Sequence, residues 1–508
     1  MAISDQEYSQ KDTPTKIDLK KESKRNQQWQ LVLFIGIVVT LAAAIGVSYL
    51  QGIQKFYIVA VVFGLSLAVV LFFRPYLGAY LLVFTVFTNL SDLFTESGLP
   101  SINQPLVAAL LLIVIANIIF SPEKLVPLNR ISRIEWALVG YFIVVVLSFA
   151  VARNQTDAFA DALRLLKNII ILFVIFFTLN NRTKLRSTMD ILIISTTVLS
   201  VLGILVSLTN TEFTFWGLAQ QSDIGQVTGE GASRYGGPIG LSNVWGQVLV
   251  VLLPYYLYRF IGAKNNLVTR AFAFFAVGAN LLAIFLTGSR GAFIALLVII
   301  PFILLELNLK VPNIFLVGVA GLLVFLLLPA TYTSRFVSLL SGENESGQSI
   351  GSDEAVVGRL EKMQAGLEMA KDNPFLGVGI GNYNENYWDY AEKLGLEPGI
   401  TNIQSEEGTR DAHSLYVEIV SETGLFGLGT FLVFAGFLLA GVYKVLQTTK
   451  KLNSDSNWRY WLAPIYISLI AYLVSGLFLH GIVFRWWWII AGLALSAIHL
   501  TEYRFRES

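Results

Sequence analysis

The chain alternates apolar runs of roughly 20 residues with short polar connectors almost from end to end. The runs fall near 31–50, 56–73, 76–94, 104–120, 133–152, 159–180, 187–209, 240–262, 267–288, 291–307, 313–330, 424–446, 460–480 and 485–503. About 20 apolar residues in a helix cross the hydrocarbon layer of a bilayer. Backbone in lipid must satisfy its polar groups within its own segment, which favours the helix. The pattern therefore predicts an all-α polytopic membrane protein. The run at 76–94 is weak, and 267–288 joins 291–307 through a short turn, so 12 to 14 transmembrane helices are expected. Composition agrees. Charged residues make up 14% of the chain, against about 25% in soluble domains.

The charges that remain give a topology. Residues 1–28 are polar and basic, and read as a disordered cytoplasmic tail. The run at 31–50 is too long and too far from the start for a signal-peptide core, so it reads as an anchor. With the tail inside, 23 of the 36 Lys and Arg fall on cytoplasmic segments, as the positive-inside rule requires. Both termini are then cytoplasmic. The predicted organisation is a tail at 1–28 and a transmembrane region at 29–330 with about 11 helices. An extracytoplasmic loop at 331–412 and a C-terminal transmembrane region at 413–508, with about 3 helices, complete it. There is no convincing internal repeat.

Two outside segments are too long to be turns: 210–239, and 331–412 with 14 Asp/Glu and six Lys/Arg. In the second, SGENESGQSIGSD (341–353) reads as a flexible linker. EAVVGRLEKMQAGLEMAKD (354–372) has helical spacing, with Val357, Leu360, Gln364, Leu367 and Met369 near one face. Asn373-Pro374 ends that helix. The glycines of NPFLGVGIGNY resemble a nucleotide loop only superficially. No strand precedes them and no GK[ST] follows, so a tight turn is the better reading.

Several chemistries are excluded at once. With no cysteine there are no disulfides, thiolate metal sites or cysteine nucleophiles. A net charge of +1 gives no field for nucleic acid. Three histidines without an H-E-x-x-H pattern make a metal site unexpected.

The outside face carries a short set of cations. Arg234 lies in GASRYGGPIGLSN and Arg290 in FLTGSRGAF, while Arg164 and Lys167 lie one helical turn apart in ADALRLLKNII. Cations near hydrocarbon depth mark a ligand or a pathway by default, and the guanidinium fork matches phosphate oxygens. The plainer alternatives are snorkelling to headgroups or neutralising an acid, for which Asp161 is available to Arg164. His413 opens HSLYVEIVSETGLFGLGTFL, where the long loop re-enters the membrane. A neutral imidazole there can take a proton from a hydroxyl, although a lone interfacial histidine is often merely amphipathic. Asp411, Glu418 and Glu422 could orient the imidazole, or could be solvated carboxylates. His480 and Arg485 flank another outer turn, beside Trp486, Trp487 and Trp488, which read as an aromatic anchor belt. His499 lies near the inner end and reads as structural.

Four segments carry a family resemblance. TGSRGAFIALL, RLEKMQAGLEMAKDNPFLGVGIGNYNENY and DAHSLYVEIVSETGLFGLGTFLVF resemble the C-terminal signature of the O-antigen ligase and polymerase superfamily. RYGGPIGLSNVWGQVLVVLLP resembles its upstream segment, with Pro238 and Asn243 spaced further apart than usual. The resemblance implies a GT-C-like glycosyltransferase of the bacterial plasma (inner) membrane. Such an enzyme moves a glycan from a polyprenyl-diphosphate-linked donor to a glycan, lipid or protein acceptor, with no metal or other cofactor. By position, Arg234 and Arg290 would bind the diphosphate and His413 would activate the acceptor hydroxyl. Membrane lipids are the remaining partners. Arg164, Lys167, Glu418 and Glu422 are substrate-binding candidates. A transporter is the alternative, since relatives with this signature carry a bicarbonate-uptake label. It lacks support from an inverted repeat or paired broken helices. A non-catalytic polysaccharide-export component is a third possibility.

Overall fold

The computed structural model describes residues 64, 66–120, 132–209, 213–222, 234–262, 266–307, 354–396, 411–452, 456–481 and 484–507. Chain contacts divide the protein between Gly78 and Ala79. In the first unit the described part is a helical stretch, Ser66–Phe73, and the start of α1 (Pro75–Phe87). The second unit holds everything that follows.

There α2 (Leu90–Glu96), α3 (Asn103–Phe120), α4 (Arg133–Ser148), α5 (Gln155–Thr178) and α6 (Arg182–Thr209) lead to a two-stranded sheet. Strands β1 (Gln220–Ser222) and β2 (Arg234–Gly237) are antiparallel, with Gln221 opposite Tyr235 and Ser222 opposite Arg234. Helices α7 (Ser242–Ile261), α8 (Leu267–Leu286) and α9 (Arg290–Leu307) follow, then α10 (Glu354–Asp372) and α11 (Tyr383–Lys393). Helices α12 (Leu415–Leu452), α13 (Ser456–Ser475) and α14 (Arg485–Glu507) close the chain.

Seven described helices are long and apolar enough to cross a membrane: α3, α4 with its 3₁₀ extension, α6, α7, α8, α9 and α12. An eighth results if Ser66–Phe73 and α1 count as one bent span. Helices α5, α13 and α14 lie where spans were expected, but polar and charged residues dilute them. The weak run at 76–94 is broken at Asn89, whose φ of 51° separates α1 from α2. The expected spans at 31–50 and 313–330, most of 56–73, the tail 1–28 and the linker 341–353 lie outside the described residues.

Caps in the sequence set the helix starts. Ser132 and Glu135 form a capping box on α4. Asn154 accepts from Thr156 and Asp157 at the start of α5, and Asn266 from Thr269 at the start of α8. Helix α7 is central, with 78% of its apolar window buried against α6, α8, α9 and α13. The other spans leave Leu112, Ile119, Val139, Phe274 and Leu432 exposed, as lipid-facing positions require. Trp487 and Trp488 correct the anchor-belt expectation. Both are fully buried, Trp487 stacked on Tyr472 and Trp488 on Phe434.

The antiparallel helices sort their ends. One end gathers the starts of α7, α9, α12 and α14 with the close of α13. The other is tied by ion pairs: Glu306 with Lys450 (2.6 Å) and Arg459 (3.1 Å), Asp190 with Arg259 (3.1 Å), and Lys444 with Glu502 (3.1 Å). His499 is at this second end, 3.3 Å from the capping Glu135.

Candidate functional site

The long loop is bolted onto a break in α12. Gly424 has φ 66° and ψ −169°, a conformation open to glycine almost alone, and it splits α12 after Thr423. The freed backbone is taken up by NPFLGVGIGN. Val378 and Gly379 donate to the carbonyls of Ser421 and Glu422 at 2.8 and 3.0 Å, and Leu425 donates to Pro374 at 2.7 Å. Gly377, Gly379 and Gly381 all have positive φ. A side chain at Gly377 would enter the Ser421–Thr423 backbone, and one at Gly379 would enter Ala152. The expected tight turn is thus also a close backbone dock. Asn382 fastens its far side, accepting from the Asn154 amide (2.6 Å) and donating to the Asn154 carbonyl (3.0 Å).

Helix α10 has the bounds expected from the sequence, but of the expected face Met369 alone is buried. Leu360 and Leu367 are about half exposed, whereas Ala365, Gly366 and Met369 pack inward. Gly366 abuts Val417, Tyr383 and Ser421. One helical turn back is Lys362, whose carbonyl accepts from the Tyr383 hydroxyl, and one turn further is Arg359.

His413 lies where these parts meet, one turn before Val417. Its φ of 51° is left-handed. The next residues hold that geometry: Leu415 donates to the carbonyls of Gly476 and Leu479 at 2.8 and 3.0 Å. The His413 ring stands edge-on to His480, centroids 5.8 Å apart. Asp411 bonds His480 Nε2 at 3.1 Å. Burial, then Lys362, His480 and Arg359, push the His413 pKa down to about 3, outweighing Asp411. His480 moves the other way. Burial opposes its charge, but the Asp411 bond and the Glu418 charge outweigh that and raise its pKa. Asp411 is held below the ordinary range because the His480 bond and nearby cations overcome burial. The corner thus holds a neutral imidazole among cations.

Arg234 and Arg290 meet at the same end of the bundle. Arg234, 8% exposed, donates from Nε to the Thr287 carbonyl (2.8 Å) and from Nη2 to Asn243 Oδ1 (2.9 Å). It thereby clamps the turn that presents Arg290, which is half-buried at the start of α9. Gly291, the next residue, packs on Phe478, two residues before His480. A chain of contacts therefore runs from Arg234 through the Arg290 turn toward the histidine pair.

The other candidates divide differently. Arg164 is exposed and paired with Asp161 at 2.6 Å, and Lys167 is exposed beside it. Glu418 accepts from the Gly481 amide at 2.8 Å and fixes the His480 turn. Glu422 is buried and accepts from the Tyr383 amide at 3.3 Å. Both carboxylates thus tie backbone segments together at this end of the bundle. Arg359, Lys362 and His480 were not singled out as site residues from the sequence. For the first two the available signal was their i, i+3 spacing on the helix ahead of the glycine loop. A small cavity between Met189, Tyr255, Tyr258 and Trp461 lies at the opposite end, away from this chemistry.

A polytopic helical bundle with a docked loop and a cation-lined histidine at one end is the class that fold and site define. Residues 271–432 match the O-Antigen ligase family model, Wzy_C. The matched stretch runs from α8 into α12 and contains Arg290, the docked loop and His413. It supports the assignment to the O-antigen ligase and polymerase family. No curated protein matches the chain.

Proposed function

We propose that the protein transfers or polymerises a glycan from a polyprenyl-diphosphate-linked donor onto an acceptor hydroxyl in cell-surface polysaccharide assembly, acting at the outer face of a bacterial plasma membrane. The observation that carries this reading is His413, half-buried beside His480 with its pKa held low, within the family-matched segment. The acceptor oxygen attacks the anomeric carbon as the bond from that carbon to the diphosphate oxygen breaks. The diphosphate leaves with the electron pair, and His413 takes the hydroxyl proton. Arg290 lies on the turn clamped by Arg234, and its guanidinium would meet the charge that develops on the leaving group. Preorganised donors of this kind are strongest where water is excluded. The reading requires no metal, since guanidinium groups supply the positive charge. The loop and α10 would cover the donor and keep out water that would otherwise hydrolyse it.

The test is a surface-glycan profile of cells expressing His413→Ala or Arg290→Ala. Each variant is expected to lose transfer while inserting at wild-type levels. Wild-type profiles from both would overturn the reading.

A further inference from the structure

We infer that the segment ahead of β1, residues 213–219, is an interfacial anchor. Phe213 and Trp216 enter the headgroup layer of the leaflet on the His413 side and set the depth of the hairpin that carries Arg234. The apolar surface of α6 leads to this segment. Ile194, Val198, Leu205 and Leu208 are each about half exposed or more, and their spacing puts them on one helix face. That stripe faces lipid. The Asp190–Arg259 ion pair lies below it. From Ile191 to Leu208 the helix rises about 27 Å, close to the hydrocarbon thickness of a bilayer. Helix α6 ends at Thr209, so the chain leaves the hydrocarbon there, with Phe213 and Trp216 just beyond.

The backbone is built to show these rings. Phe215, Trp216 and Gly217 have φ of 51°, 56° and 86°, left-handed in succession, a conformation that bulky residues avoid. Local hydrogen bonds hold it. Ala219 donates to the Thr214 carbonyl at 3.0 Å, Leu218 to that of Phe215 at 3.2 Å, and Gly217 to the Thr214 hydroxyl at 3.2 Å. Ala219 is fully buried, and Gly217 lies so close to Leu93 of α2 that a Cβ would meet it. Asp92, beside Leu93, pairs at 3.3 Å with Arg485 at the start of α14. The segment therefore stands level with the point where α14 begins. Strain held this firmly points to a function, and here it turns Trp216 outward. Trp216 is 84% exposed, with the Phe213 ring edge-on to it at 5.6 Å.

An indole with an apolar body and a wet N–H suits the membrane interface. Among the described residues two tryptophans are more than half exposed, and they lie at opposite ends of the bundle. One is Trp216. The other is Trp136 on the first turn of α4, next to the Glu135 that meets His499. Trp486, Trp487 and Trp488, expected to form such a belt, are buried instead. The anchor also reaches the site. Strand β1 begins at Gln220, and its Ser222 stands opposite Arg234, which holds the Thr287 carbonyl. Lipid contact at Trp216 thus fixes the depth of Arg234. Only this last consequence rests on the transferase reading.

The chain has no cysteine, so a single introduced thiol takes a fluorophore cleanly. The experiment places an NBD label on Phe213→Cys in the full-length protein in phosphatidylcholine liposomes. Quenchers are aqueous iodide and lipids with a nitroxide near the headgroup or near the chain end. Leu112→Cys on α3 and Glu392→Cys on α11, both at exposed positions, report hydrocarbon and water. The label at 213 is expected to be quenched most by the shallow nitroxide, and less by iodide than the label at 392. Adding Trp216→Gln should restore iodide access, whereas Trp216→Tyr should not. Quenching that matches either reference position overturns the anchor, as does a label unmoved by Trp216→Gln. Protection from all quenchers would mean that protein covers the segment. Protection from iodide only when a soluble oligosaccharide is added would make it a sugar platform. Either result also overturns the proposal. No readout involves glycan transfer, so the transferase reading stands or falls separately.

Discussion

His480 donates to Asp411 at 3.1 Å while standing edge-on to His413, and the two imidazoles are driven apart in pKa. A raised histidine contributes stability that is full below its unfolded value of about 6.5 and fades as pH rises through the folded value. A depressed one does the reverse. His413 binds a proton in the unfolded chain but not in the native one between pH 6.5 and about 3, so acidification through that window costs stability. With only three histidines in the chain, isotope-labelled imidazole NMR can follow each. His413 is expected to stay neutral at pH 5 and His480 to remain charged above 6.5. Replacing Asp411 with Asn should return His480 toward its ordinary value. A His413 signal that titrates near 6.5 would contradict the depressed pKa assigned to this half-buried corner.

The break at Gly424 predicts a sharp glycine requirement. A Cβ there would run into the Phe375 backbone, in a conformation that other residues adopt at a cost of about 1–3 kcal/mol. Gly424→Ala should lower the melting temperature and release the loop. Gly436→Ala, also on α12 but with nothing within 4 Å, is the matched control and should be neutral or slightly stabilising. Thermal unfolding in detergent distinguishes them, and equal melting temperatures would mean that the loop does not depend on the break.

Arg234 reaches two partners, Thr287 and Asn243, that belong to different helix ends. A Lys cannot serve both, so Arg234→Lys should lose most transfer despite keeping its charge. In a double-mutant cycle, Arg234→Met and Asn243→Ala should be non-additive in stability, with a coupling of about 0.5–3 kcal/mol. Strict additivity would show that the 2.9 Å contact is idle in solution.

What the sequence made legible follows the physics of each feature. The spacing in 354–372 and the Asn373-Pro374 stop defined α10 because helix periodicity and proline restriction are local. Which face of α10 turned inward was not local. Leu360 and Leu367 looked like the buried stripe, but Gly366 permits an approach that a bulkier residue would block. The β1–β2 hairpin was missed because its strands are three and four residues long and held by distant groups, such as Leu199 accepting from the Tyr235 hydroxyl at 2.6 Å. Arg290 and His413 stood out in the sequence as a polar residue at the edge of an apolar run. His480 was read from the sequence as part of an aromatic belt, and its place beside His413 became visible only in the fold.

Glu422 and Asn382 hold the two sides of the docked loop, and they should fail in different ways. Glu422 is buried with the Tyr383 amide as donor to its carboxylate. Glu422→Gln keeps an acceptor oxygen and should be tolerated better than Glu422→Ala, which strands a buried N–H at a cost of about 1–3 kcal/mol. Asn382, fully buried, satisfies both the amide and the carbonyl of Asn154. Asn382→Asp retains the acceptor but loses the donor and buries a charge, so it should destabilise more than Asn382→Ala. Because Asn154 also caps α5, hydrogen exchange in Asn382 variants should rise at the start of α5 as well as in the loop. In Glu422 variants the rise should stay within the loop and the first turns of α11 and α12. Exchange that rose equally in all of these segments for both residues would mean that the loop opens as one unit, with no separate fastening to α5.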